Sequence, residues 1–241
     1  MRNLIISDIH SNLTALEAVL YAAGEVDEVW CLGDVVGYGA DPNECIERLR
    51  QLPNLTCLLG NHDAAVLGVL DKETFNGDAR AAIDWTIDRI TKENLDFLAS
   101  LEPLLVKDEV TLVHGSPRDP LWEYLLDPRT VRMNLPEIST VFCFHGHSHF
   151  PVCFHTDLNK KAEWHVITDG ERIELKPIAF ANPGSVGQPR DRDNRAAAAI
   201  YDTVDHTWLS LRVKYDIEQA GNRIVAAGLP PRLASRLGEG W

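Results

Sequence analysis

Five short groups in this 241-residue chain carry side chains that bind metals or move protons. They are Asp8-x-His10, Gly33-Asp34, Gly60-Asn61-His62-Asp63, His114-Gly115 and His145-Gly146-His147-Ser148-His149. Carboxylate oxygens, an amide oxygen and imidazole nitrogens are donors that first-row divalent ions accept. Taken singly, each group has an ordinary use. Asp-x-His and Gly-Asp occur in turns, Gly-Asn-His caps helices, and His-x-His stands on surface loops. Position sets them apart, because each follows directly on a short apolar run.

Those runs, at 4–7, 29–32, 56–59, 110–113 and 141–144, are β-branched or aromatic-rich and end at a polar residue or glycine. They read as buried strands. Between the first two, Leu13, Leu16, Val19 and Leu20 stand at helical spacing, with Asn12 as cap and Gly24 as stop. A second helix is expected over 43–51, between Pro42 and Pro53. Strand, helix, strand, helix, strand predicts a parallel sheet with helical crossovers. Ligand sites of open α/β sheets lie beyond the carboxyl ends of their strands. The five runs therefore deliver the five groups to one edge.

Residues 78–90 and 91–100 read as two helices, with Thr91 capping the second, and form a helical insert at about 76–100. The later chain changes character. Strands are expected over 150–155, 164–168, 172–175, 196–201 and 208–215, with turns such as Asp169-Gly170. That pattern suggests an antiparallel second sheet. A helix over 217–227 stops at Gly228 and Pro230, and the tail 229–241 has no decisive pattern. With no linker in sight, the expectation is one domain over 1–241. Its class is α/β (α+β), two packed mixed β-sheets forming a sandwich flanked by helices.

Hydrophobic residues make up 45% and charged residues 24%, an ordinary globular composition. No apolar run approaches the ~20 residues of a membrane span. The start reaches Asp8 too soon for a secretory signal, so a cytoplasmic protein is expected. The net charge of −13 argues against a broad basic face and strong nucleic-acid binding. The five cysteines form no Cys-x-x-Cys pair and read as buried reduced thiols.

Together the five groups resemble the five blocks of the calcineurin-like metallophosphoesterases, over residues 8–149. The stretch Ala181-Asn182-Pro183-Gly184-Ser185-Val186-Gly187 resembles a later block of small bacterial members, including YfcE-like phosphodiesterases. The resemblance implies a helix-flanked β-sandwich with a binuclear metal centre. It assigns Asp8, His10 and His149 to one ion and Asn61, His114 and His147 to the other, with Asp34 bridging. The chemistry is consistent: a bridge needs two oxygens, and His147 and His149 are two apart on a turn. Mixed imidazole, amide and carboxylate donors without thiolate favour Mn²⁺, Fe, Ni²⁺, Co²⁺ or Zn²⁺ over Ca²⁺ or Mg²⁺, with Mn²⁺ the first expectation. Two such ions outweigh Asp8, Asp34 and one hydroxide, so an acidic chain still offers a positive pocket. They bind phosphoryl oxygens and lower the pKa of a bridging water. Such a hydroxide would attack phosphorus in line with the leaving group.

His62 is not needed as a ligand and is the candidate proton donor to the leaving oxygen, with Asp63 expected to orient it and raise its pKa. Arg190, Arg118 and Tyr38 are weaker substrate candidates. His145 reads as a packing residue, and His155, His165 and His206 fit no block. The leading expectation is hydrolysis of a phosphodiester in a small phosphate ester or nucleotide. The alternatives are a phosphomonoesterase, a nucleotide pyrophosphohydrolase of the diadenosine tetraphosphatase type, or a protein phosphatase. A metal-bound scaffold without activity is the rival from another class. The presence of His62 argues for catalysis, since a scaffold needs no proton donor. No residue pattern speaks to oligomeric state.

Overall fold

Three parallel strands open the chain. In the computed structural model, which describes residues 1–156 and 162–241, β1 (Arg2–Ile6), β2 (Glu28–Cys31) and β3 (Leu55–Cys57) are joined by α1 (Leu13–Ala23) and α2 (Pro42–Arg50). Asn12 caps α1 by accepting the Ala15 amide at 3.1 Å, and Leu16 and Val19 turn inward. Then come α3 (Asn61–Val66), α4 (Gly77–Ile87), α5 (Lys92–Ala99), β4 (Leu104–Lys107), β5 (Val110–Val113), α6 (Pro128–Asn134) and β6 (Phe142–His145). The remaining elements are β7 (Val152–His155), β8 (Glu163–Val166), β9 (Arg172–Glu174), β10 (Ala179–Asn182), β11 (Ala196–Asp202), β12 (Thr207–Val213), α7 (Ile217–Ala226) and α8 (Pro231–Glu239).

The strands form two six-stranded sheets, ordered β3-β2-β1-β11-β12-β9 and β4-β5-β6-β10-β7-β8. Each has a parallel core: β1 pairs with β2 and β2 with β3, while β6 pairs with both β5 and β10. The expected split into an early parallel and a late antiparallel sheet is therefore corrected. Late strands β11, β12 and β9 complete the first sheet, and β5 and β6 lie in the second. The reason lies in β11. Its run Ala196–Ala199 is buried throughout and antiparallel to β1, with Leu4 opposite Ile200. Small side chains suit a strand covered on both faces, but nothing local names the partner strand. Strands β4 and β10 and helices α3, α6 and α8 were not expected as elements.

Alternation along β1 shows how the layers are built. Ile5 faces the inter-sheet core with Trp30, Phe142, Phe144, Tyr201 and Trp208. Leu4 and Ile6 face the other way, onto Leu16 and Val19 of α1 and Ile46 of α2. Helix α6 covers the outer face of the second sheet through Val131, against Val113, Phe154 and Phe180. Helices α7 and α8 pack on α4 through Ile224, Leu233, Leu237, Ala79 and Ala82. All five cysteines are buried and unpaired. Among the described residues, no helix is long and apolar enough to cross a membrane.

Candidate metal centre and cleft

The carboxyl ends of the parallel strands from both sheets converge. Asp8 and His10 follow β1, Asp34 follows β2, Asn61 and His62 begin α3 just after β3, His114 follows β5, and His147 and His149 follow β6. Donor atoms of Asp8, His10, Asp34 and His149 lie within 4.8 Å of one another, and so do those of Asp34, His114 and His147. Asp34 belongs to both clusters. Asn61 joins the second, with its Oδ1 3.0 Å from His114 Nε2. All seven side chains are buried.

Second contacts aim the imidazoles. His10 Nδ1 lies 3.1 Å from the Val36 carbonyl, His114 Nδ1 2.9 Å from that of Leu32, and His149 Nδ1 2.6 Å from that of Gln188. A carbonyl only accepts, so each Nδ1 carries the proton and each Nε2 presents a lone pair. Yet His10 Nε2 and His149 Nε2 are 3.1 Å apart, and His149 Nε2 is 3.2 Å from Asp8 Oδ1. Burial pushes the pKa values of His10, His147 and His149 down, which keeps the rings neutral. Asp8 Oδ1 and His147 Nε2 are buried without a hydrogen-bond partner. Burial, then the charges of Asp63 and Asp8, hold the Asp34 carboxyl well above its usual range. Acceptor atoms crowd a buried space with fewer donors than they need. Divalent cations resolve that conflict, so the residues fit the metals the resemblance implies.

The backbone is bent to make this possible. Asp8, His10, Asp34, His147 and His149 all adopt positive φ, between 49° and 63°. Such conformations cost of order 1–3 kcal/mol each and persist where the surroundings enforce them. The enforcement is visible: Asp8 N–H donates to the Gly33 carbonyl and His10 N–H to that of Asp34, both at 3.0 Å. A Cβ on Gly60 would stand 2.1 Å from Asp34 Oδ1 and 2.2 Å from Asp34 N, so only glycine fits there. The end of β10 and the loop after it buttress the rest. Asn182 Nδ2 donates to the Gly146 carbonyl at 2.7 Å and to Ser148 Oγ at 3.1 Å. Ser185 Oγ donates to the Asp8 carbonyl at 2.8 Å.

Two expectations need correction. Asp63 does not orient His62: its carboxylate accepts from the amides of Val35, Val36 and Gly60 at 3.0–3.2 Å. It ties the start of α3 to the Asp34 loop. His62 Nδ1 is buried without a partner, against Gly37, where a Cβ would stand 2.5 Å from that atom. Burial first, and Arg190 second, lower the His62 pKa, the reverse of the expected rise. Arg118 is the other correction, since it pairs with Glu123 and is absent from the cleft lining. Arg190 and Tyr38 do line the cleft, with Arg190 Nη2 3.4 Å from the Tyr38 hydroxyl. His145 is buried with Nδ1 3.2 Å from Asn182 Nδ2. His165 sits against Glu171 at 2.6 Å and His206 against the Tyr201 hydroxyl at 2.9 Å. His155 is half-buried on β7.

An open cleft has Asp34, Asn61, His147 and His149 in its lining. Its rim is a chain of rings. Tyr38 stands 4.5 Å from His62, His62 5.0 Å from Phe75, and Phe75 4.9 Å from Trp122. Tyr124 stacks on His147 at 4.0 Å and 15°. Arg190 closes the circle, lying against both Tyr124 and Tyr38. Phe75, Trp122, Tyr124 and Arg236 were missed. They come from loops and from α8 and follow no strand, so no local signal marks them.

A family model described as the calcineurin-like phosphoesterase superfamily domain matches residues 1–206. The chain is 42% identical over 243 residues to an uncharacterised protein of Methanocaldococcus jannaschii, covering 97% of this chain and 96% of that one. A metallophosphoesterase from Sphaerobacter thermophilus has a TM-score of 0.91 at 44% identity, with both chains fully covered. A hypothetical protein from Pyrococcus horikoshii shares the fold, with a TM-score of 0.78 at 20% identity, covering 100% of this chain and 98% of that one. The match over most of the length and the whole-chain identity to such relatives agree with the donor geometry: this chain belongs to the calcineurin-like phosphoesterase superfamily.

Proposed function

We propose that the protein is a metal-dependent phosphodiesterase. In this reading Asp8, His10 and His149 hold one divalent ion and Asn61, His114 and His147 a second, with Asp34 shared. When bound, the ions supply Lewis acidity toward phosphoryl oxygens and an activated water. Mn²⁺ is the first expectation. His62 contributes an N–H to the leaving oxygen, and Tyr38 and Arg190 position the substrate. The observation that carries the diester reading is the aromatic rim around the donor clusters: Tyr38, Phe75, Trp122 and Tyr124, closed by Arg190. A diester has two substituents to lay against that rim, whereas a monoester has one.

A second reading has its own support. Among the described residues Arg190 bonds neutral partners such as Gln188 and Tyr38 and no carboxylate, and such a guanidinium suits the dianion of a monoester or a phosphoanhydride. The comparison that decides uses one leaving group. With Mn²⁺ present, bis-p-nitrophenyl phosphate is expected to show a higher kcat/KM than p-nitrophenyl phosphate. A preference for the monoester that disappears in Arg190→Ala would establish the second reading.

A further inference from the structure

Helices α7 and α8 lie beyond residue 206, where the family domain match ends. Yet α8 reaches the cleft, because Arg236 lines it together with Arg190 and Tyr38. The placement is built. Gly240 ends α8 at φ +64°, and a Cβ there would stand 2.8–2.9 Å from the backbone of Arg192 and Asp193. Arg192 N–H donates to the Gly240 carbonyl at 2.8 Å, and Asn194 Nδ2 to that of Gly238 at 3.1 Å. The end of α8 is thus clipped to the loop that carries Arg190.

The two guanidiniums are under-used. Arg236 donates through Nε to the main-chain oxygen of Trp241 at 2.5 Å, and its Nη groups make no hydrogen bond among the described residues. Arg190 bonds Gln188 and Tyr38. Among the described residues neither pairs with a carboxylate side chain, in a chain with 36 acidic residues against 23 basic ones. Nearby Arg195 and Arg212, by contrast, are held by Asp169, Asp193 and Asp191. Burial, and then the charge of Arg190, lowers the Arg236 pKa. Two like charges beside one aromatic-rimmed cavity repel each other, and among the described residues no carboxylate side chain forms an ion pair with either. The missing partner is a negative group brought by the substrate.

We infer that Arg236 and Arg190 form a second anion subsite, and that the substrate is a phosphodiester bearing a further phosphoryl group on one of its substituents. This rests on the phosphodiesterase reading, and the reacting phosphate itself stays with the metal donors. Arg236 is a specificity residue in this scheme.

Two esters with one leaving group test it: the p-nitrophenyl ester of thymidine 5′-phosphate, and the same ester bearing a 3′-phosphate. The Mn²⁺-loaded enzyme should favour the 3′-phosphorylated ester by about 10–100-fold in kcat/KM, the range of a charge-assisted contact. Raising the salt from 0.05 to 0.5 M should erode that preference. Arg236→Gln should bring the ratio toward unity, and Arg236→Lys should keep an intermediate ratio because it retains charge without the fork. Calorimetry on the metal-free protein, which cannot hydrolyse it, should show thymidine 3′,5′-bisphosphate binding about tenfold more weakly to Arg236→Gln. A helix anchor alone would alter melting but not the ratio. Equal kcat/KM for the two esters in the wild type overturns the subsite. Cleavage of neither ester removes the diesterase reading instead, and equal calorimetric affinities for wild type and Arg236→Gln would then remove the subsite as well.

Discussion

Asp34 is the side chain on which the centre turns, since it alone belongs to both donor clusters. If it is the shared ligand, Asp34→Asn removes one anionic oxygen and disturbs both ions. Metal analysis after reconstitution with Mn²⁺ should approach two ions per chain in the wild type and fall clearly below that in the variant. Unchanged stoichiometry would contradict sharing. His62 is separable from the ligands because its ring nitrogens belong to neither donor cluster; it meets them only through its main-chain N–H, which donates to Asp34 Oδ1 at 2.9 Å, and its ring edge against His10. His62→Ala should keep the metal and slow esters of poor leaving groups by about 10²–10⁴. Esters of p-nitrophenol should lose less, because that anion leaves with little help. Equal losses on both, or lost metal, would count against an N–H donor at this position. Ligand types were legible because metals demand particular donor atoms. The partner of His62 was not, because adjacency in sequence does not aim a carboxylate: Asp63 turns back to cap its own helix.

Strand ends do the positioning at the scale of elements, and Gly60 shows how little room they leave. Gly60→Ala would drive a methyl into Asp34 N and Oδ1. A loss of about 1–3 kcal/mol is expected from overpacking, together with loss of stoichiometric metal. Gly77→Ala is the control, since nothing lies within 4 Å of its Cβ position and its φ is not in the left-handed region. It should be neutral or slightly stabilising in urea denaturation. If both variants lose metal alike, the close approach at Gly60 is not the cause. The run-then-ligand pattern was readable because each apolar run is local. The start of α3 was half legible, since Gly-Asn-His already suggested a cap. Strand β10 escaped notice although its loop sequence stood out, because Ala179–Asn182 is short and becomes a strand only by pairing between β6 and β7.

The two sheets hold the site between them, so sandwich packing sets its precision. Phe144 lies in that core, with ring centroids 4.8 Å from Trp208, 4.9 Å from Tyr201 and 6.2 Å from Trp30. Phe144→Ala should cost about 3–5 kcal/mol, read as a lower urea midpoint at nearly constant slope. A loss under about 1 kcal/mol would mean that the core collapses onto the gap. Because β6 also carries His145 toward the His147 turn, metal affinity should weaken with stability.

The sequence by itself determined the donor types, their order along the chain and their place at strand ends, because metal chemistry and strand periodicity are both local. It also marked α1, α2, α4, α5 and α7 to within a few residues. Tertiary structure decided what depends on distant partners: the interleaving of early and late strands, the positive φ values forced on five donors, and the lone pairs aimed at one space. It decided the cleft as well. Phe75, Trp122, Tyr124 and Arg236 come from separate loops and a tail without pattern, and only packing makes them neighbours of one site. A side chain's identity is written in the chain, but its counterpart across a cleft is fixed by which surfaces bury each other.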